Sequence, residues 1–129
     1  MDKDKKITQL RKGILELAIM GNLYHRHHYG YSLVRALTEN KEIELKEGTI
    51  YPILNRLARE GLVTSEWVAS HQGPPRKYYS LTDTGKSLYQ DLRTEFRELV
   101  SLVTDADETR CSQDDNLNDG RIHVREIDE

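Results

Sequence analysis

Within one short segment the chain carries Thr49, Tyr51, Asn55, Arg56 and Arg59, side chains that hydrogen-bond well and that have no nucleophile–base pairing among them. An asparagine offers a donor and an acceptor side by side, and an arginine offers a fork of donors. That combination suits surfaces rich in acceptors, such as base edges and phosphate oxygens. Ile50, Ile53, Leu54 and Leu57 recur among them at helical spacing. A helix over about Glu47–Glu60 therefore turns the apolar set inward and leaves the polar set on its other faces. A second basic pair, Arg76-Lys77, follows a turn at Ser70–Pro75. Cations beside a hairpin turn bind phosphate, which adds affinity and salt dependence but chooses no sequence.

Other chemistries find no support in the residues. There is no Ser-His-acid order, phosphate-binding glycine loop or nucleotide fingerprint, so an enzyme is not expected and no cofactor is implied. His25, His27 and His28 crowd one turn, yet no cysteine or carboxylate with ligand spacing stands beside them; they are expected to be solvent-exposed turn residues, with no metal site. Cys111 is the sole cysteine and cannot form an internal disulfide, which fits a reducing cytoplasm. No apolar run approaches the roughly 20 residues that a membrane span requires.

The elements that must position the polar segment can be read from periodicity. An amphipathic helix is expected over about Ile7–Tyr24, followed by a turn at His25–Tyr31 and a short helix from Ser32, a good N-cap, to Thr38. The third helix tolerates Pro52 if that residue lies in its first turn, and Gly61 marks its end. Two extended runs, Leu62–Val68 and Arg76–Leu81, flank Gly73-Pro74-Pro75 and form a hairpin, with Trp67 expected to pack against the third helix. A last helix from Thr82 or Asp83 runs to about Val103.

Three helices and then a hairpin is the order of a winged helix-turn-helix, in which the third helix enters the major groove and the hairpin reaches the adjoining backbone. The expected fold class is mainly α with a small β-hairpin. Residues 1–82 form the winged domain, 83–103 a dimerisation helix, and 104–129 an acidic tail expected to be disordered. The net charge of −3 divides unevenly. The tail holds nine acids against three bases, which leaves 16 bases against 13 acids for the rest. A mildly basic body is compatible with phosphate binding.

Several ordered motifs resemble the PadR family of bacterial transcriptional regulators. They are Leu15-Glu16-Leu17-Ala18-Ile19-Met20, Tyr29-Gly30-Tyr31-Ser32-Leu33 and Glu47-Gly48-Thr49-Ile50-Tyr51-Pro52-Ile53-Leu54-Asn55-Arg56-Leu57, continued by Glu60-Gly61-Leu62-Val63. Gly73-Pro74-Pro75-Arg76-Lys77-Tyr78-Tyr79-Ser80-Leu81-Thr82-Asp83-Thr84-Gly85 is similar to that family's wing and the entry to its last helix. The likeness covers roughly residues 8–103. It departs at Tyr29, where the family often has histidine, in the His-rich insertion just before it, and in the acidic tail. It implies a homodimer of the subfamily with one C-terminal helix, repression of a neighbouring operon, and release from DNA by a small aromatic or lipophilic compound. It also implies a DNA contact through the Tyr51 hydroxyl.

The terminal helix carries Leu92, Phe96, Leu99, Val100 and Val103 on one stripe, with little of its own chain left to cover them. A second copy is the expected cover, the first helix being its natural partner. Such a dimer would set two recognition helices about 34 Å apart, to read a palindromic duplex. A phenolic or hydrophobic effector at that interface would stack on Tyr89 and Phe96. The alternative function is a winged-helix module for protein–protein contact, which an operator scan would separate from a sequence-specific DNA-binding regulator.

Overall fold

The computed structural model describes residues 2–39 and 41–115, with side chains as far as Asp107. Helix α1 spans Lys3–His25, strand β1 His28–Tyr29, α2 Gly30–Thr38, α3 Glu47–Arg59, β2 Val63–Val68, β3 Arg76–Leu81 and α4 Asp83–Asp115. The strands form one antiparallel sheet in the order β1-β3-β2. Two compact units divide the chain, Met1–Leu92 and Arg93–Glu129.

Apolar spacing and helix caps account for the first unit. The Asp2 carboxylate accepts from the Lys5 amide and starts α1 four residues earlier than periodicity indicates, because that first turn is capped but carries no apolar stripe. Ile19, Met20 and Leu23 of α1 meet Leu33 of α2 and Ile50, Leu54 and Leu57 of α3, all at 2% exposure or less. Burying a side chain of this size is worth about 1.5–3 kcal/mol, so this cluster fixes where the three helices lie.

The end of α3 is a double-bonded stop. The Leu62 amide donates to the Leu57 carbonyl at 2.9 Å and the Gly61 amide donates to Ala58 at 3.0 Å, while Gly61 adopts φ +76°. Only glycine takes that conformation without strain, and the reversal delivers the chain directly into β2.

Four expectations need correction. The segment His25–Tyr31 is not simply a turn: His28 and Tyr29 pair with Tyr79 and Tyr78 as a third strand. Two residues are too few for any alternation to reveal. The second helix begins at Gly30, and Ser32 acts from inside it, its hydroxyl accepting from the Tyr29 amide and donating to the Tyr29 carbonyl. Pro52 lies in the second turn of α3, so it does remove one helical bond; the Gly48 carbonyl loses its donor, at a position where both residues face solvent. Finally, α4 continues to Asp115 instead of stopping near Val103, so the expected disordered tail is helical over 104–115. Polar residues there support helix without an apolar stripe, the signal on which the boundary rested. The rest of that tail lies outside the described residues. No helix among the described residues is long and apolar enough to cross a membrane.

Candidate nucleic-acid interface

Helix α3 divides its side chains cleanly. Ile50, Leu54 and Leu57 are fully buried, whereas Thr49, Asn55 and Arg59 are exposed on the other side. A helix anchored by one face presents the opposite face rigidly, as recognition of base edges requires.

Tyr51 and Arg56 are tied to other elements of their own chain. The Tyr51 ring lies over Gly30, so close that a Cβ there would collide with its hydroxyl. Burial, and then the negative charge of Glu47, push that phenol above its ordinary pKa, so it stays protonated. Tyr51 thus locks α3 against the start of α2, and the glycine is what admits it. Arg56 Nη2 donates to Glu16 Oε2 of α1 at 3.1 Å, with both side chains partly exposed. A half-exposed pair of this kind contributes less than about 1 kcal/mol, so the guanidinium remains cheap to redirect.

The wing splits its two cations between faces, because successive residues of a strand point to opposite sides. Arg76 stacks on the Tyr29 ring at 4.4 Å, and Tyr29 meets Tyr78 edge-on. Lys77 points the other way, its ammonium 5.9 Å from the Trp67 ring and 5.8 Å from that of Tyr79. Trp67 does not pack against α3: it is 69% exposed. The expectation failed because the strand outruns the core, and position along the strand overrides parity.

On α4, Leu92, Leu99, Val100 and Val103 are exposed, and Phe96 is half-buried. On α1, Leu10 and Ile14 are exposed. Tyr89, expected to stack on an effector, is instead a core residue, its ring 5.1 Å from that of Tyr24 and its hydroxyl against Gly21. Among the described residues no three His, Cys, Asp or Glu side chains gather as a metal site.

His28 was expected at the surface but is buried, with Nδ1 2.9 Å from the Ser32 hydroxyl that ties down the first turn of α2. Burial, and then the charge of Arg26, lower its pKa below the ordinary value of 6.5. The folded state therefore holds neutral imidazole, while the unfolded chain accepts a proton more readily. Stability is full above about pH 6.5 and declines as the pH falls toward the depressed folded value. The thermal midpoint should drop between about pH 7.5 and about pH 5.5, and His28→Asn, which cannot titrate, should flatten that drop. An equally steep decline in the variant would assign it to other groups.

Comparison with known proteins places this arrangement. The model of the Transcriptional regulator PadR-like family matches residues 17–91, more than half of the chain. A PadR-like transcription factor from Bacteroides fragilis is 40% identical, with 79% of this chain and 98% of that one covered at a TM-score of 0.66. A PadR-like transcriptional regulator from Bacillus cereus is 33% identical over 76% of this chain and 95% of its own, with a TM-score of 0.69. A PadR family transcriptional regulator from Eggerthella lenta is 31% identical over 80% and 89%, with a TM-score of 0.68. Transcription regulators, not enzymes, make up this family. With its winged helix-turn-helix and these relatives, the chain belongs to the PadR-like family of transcriptional regulators.

Proposed function

We propose that the protein is a cytoplasmic repressor that binds a palindromic operator as a homodimer and leaves it when a small hydrophobic or phenolic effector binds. The observation that carries the DNA reading is the division of α3, with Ile50, Leu54 and Leu57 sealed in the core and Thr49, Asn55 and Arg59 turned to solvent. Asn55 and Arg59 read base edges or the flanking phosphates, Thr49 contacts the backbone, and Arg56 exchanges Glu16 for phosphate on binding. Tyr51 serves by holding the helix, and its hydroxyl reaches DNA only if it leaves Gly30. Lys77 and Arg76 supply wing cations from opposite faces of the hairpin. The exposed stripe of α4 supports dimerisation, with Leu10 and Ile14 of α1 as the surface it covers on the second copy. An effector site between the copies uses Phe96; Tyr89 is already enclosed.

Selection of bound duplexes from random-sequence DNA tests this reading. An inverted repeat should be enriched, and Asn55→Ala should weaken binding to it by on the order of tenfold to a hundredfold, the cost of losing a bidentate base contact. A panel of phenolic and hydrophobic compounds should contain at least one that releases the duplex. Recovery of no preferred sequence would instead leave a winged module that contacts protein.

A further inference from the structure

Resting on the DNA-binding reading above, we propose that Trp67 is a further DNA contact: its indole packs against the deoxyribose edge of the strand beside the groove that α3 enters, while Lys77 holds the adjoining phosphate. The hairpin register decides the face. Val63 pairs with Leu81, Ser65 with Tyr79 and Trp67 with Lys77, so these residues share the side of the sheet that faces the core. Val63, Tyr79 and Leu81 are covered by that core, whereas Trp67, two pairs farther along, projects beyond it.

A row of side chains leads from α3 toward this exposed indole. Tyr51, on α3, packs against the core cluster that includes Tyr79. The Lys77 ammonium sits within 6 Å of both the Tyr79 and the Trp67 rings. Tyr51, Tyr79, Lys77 and Trp67 therefore lead from α3 out along the wing. Arg76, Tyr29 and Tyr78 occupy the opposite face.

Single exposed apolar residues are ordinary, and exposure alone would carry nothing. Here the indole has a cation beside it that complements a polyanion, on a strand that follows directly from the end of α3. An ammonium has three donors and can serve a ring and a phosphate together. The pair offers the two chemistries of a nucleic-acid backbone, an apolar sugar edge and an anionic oxygen. Neither contact reads a base, so the pair sets affinity and docking register and leaves sequence choice to α3.

Trp67 is the only tryptophan in the chain, so intrinsic fluorescence reports on it alone. The full-length protein is titrated with the duplex recovered by selection, and binding is followed independently by the anisotropy of a label on the DNA. Acrylamide quenching of Trp67 should fall at least several-fold at saturation. Trp67→Ala should weaken binding by on the order of tenfold, as expected for loss of an aromatic ring's buried area, with its salt slope unchanged. Lys77→Ala should reduce that slope by about 0.9, the value for one phosphate. Thermal melting of Trp67→Ala at the wild-type midpoint guards against a folding defect. If the duplex binds while quenching and Trp67→Ala affinity match the unbound and wild-type values, this inference is overturned and the DNA reading stands. If no duplex is bound at all, both fall.

Discussion

Gly85→Ala should cost about 2–3 kcal/mol and lower the thermal midpoint by on the order of 10–20 °C, although alanine is the better helix former. Gly85 lies in the first turn of α4, where a Cβ would run into the carbonyl oxygen of Leu62 and approach its carbonyl carbon to 3.1 Å. That carbonyl already accepts from the Thr82 amide at 3.0 Å. The Thr82 hydroxyl donates to the Gly61 carbonyl at 2.7 Å and accepts from the Gly85 amide at 3.0 Å. The end of α3, the base of the wing and the start of α4 thus meet within a few bonds, and the obstacle is backbone that cannot rotate away. Helix propensity favours alanine by about 1 kcal/mol, which the collision exceeds. Gly13 is the control. It sits in exposed α1 with nothing within 4 Å of an added Cβ, so Gly13→Ala should stabilise by roughly 0.5–1 kcal/mol. Denaturant melts of both variants decide the matter: a Gly85→Ala protein as stable as Gly13→Ala would refute the close approach.

The contrast between these glycines also indicates what one-dimensional reading reaches. Periodicity found α3 because burial there repeats at 3.6 residues, β-forming residues on either side of Gly73-Pro74-Pro75 marked the hairpin, and Gly61 betrayed the stop through its own conformational demand. The exposed set Thr49, Asn55 and Arg59 was legible for the same reason, being the complement of a regular stripe. What stayed hidden depends on pairs distant in sequence. Glu16 meets Arg56 across forty positions, Tyr51 rests on Gly30, and His28 is buried because a two-residue strand completes the sheet edge. Trp67 shows an intermediate case. Counting in twos from the hairpin would have paired it with Lys77, yet how far the core extends beneath the wing is a three-dimensional fact. The end of α4 eluded reading because a helix made of polar residues leaves no stripe to count.

On the dimer proposed above, Leu99→Glu combined with Val103→Glu should convert the protein from dimer to monomer and weaken operator binding by on the order of a hundredfold or more. Leu99, Val100 and Val103 are 51%, 38% and 66% exposed, and with Leu92 and Phe96 they follow the spacing of a helix-packing seam. Two carboxylates placed there would have to be desolvated at any interface that buries the stripe, a cost of several kcal/mol per ion, whereas on a helix that faces water they cost almost nothing. The sign of the result therefore discriminates between interface and surface. The effect on DNA arises from linkage: when two recognition helices are joined, the second half-site is engaged at an effective concentration that is lost on dissociation, and that advantage commonly amounts to 10²–10⁴-fold. The monomer should still bind a half-site weakly, which separates a broken dimer from a broken fold. Sedimentation equilibrium gives the assembly state and gel shift on full and half operators gives the affinities. A double variant that remains dimeric would move the interface off this stripe. A dimer lost without loss of operator affinity would show that one winged domain suffices, and the palindromic reading would have to be abandoned.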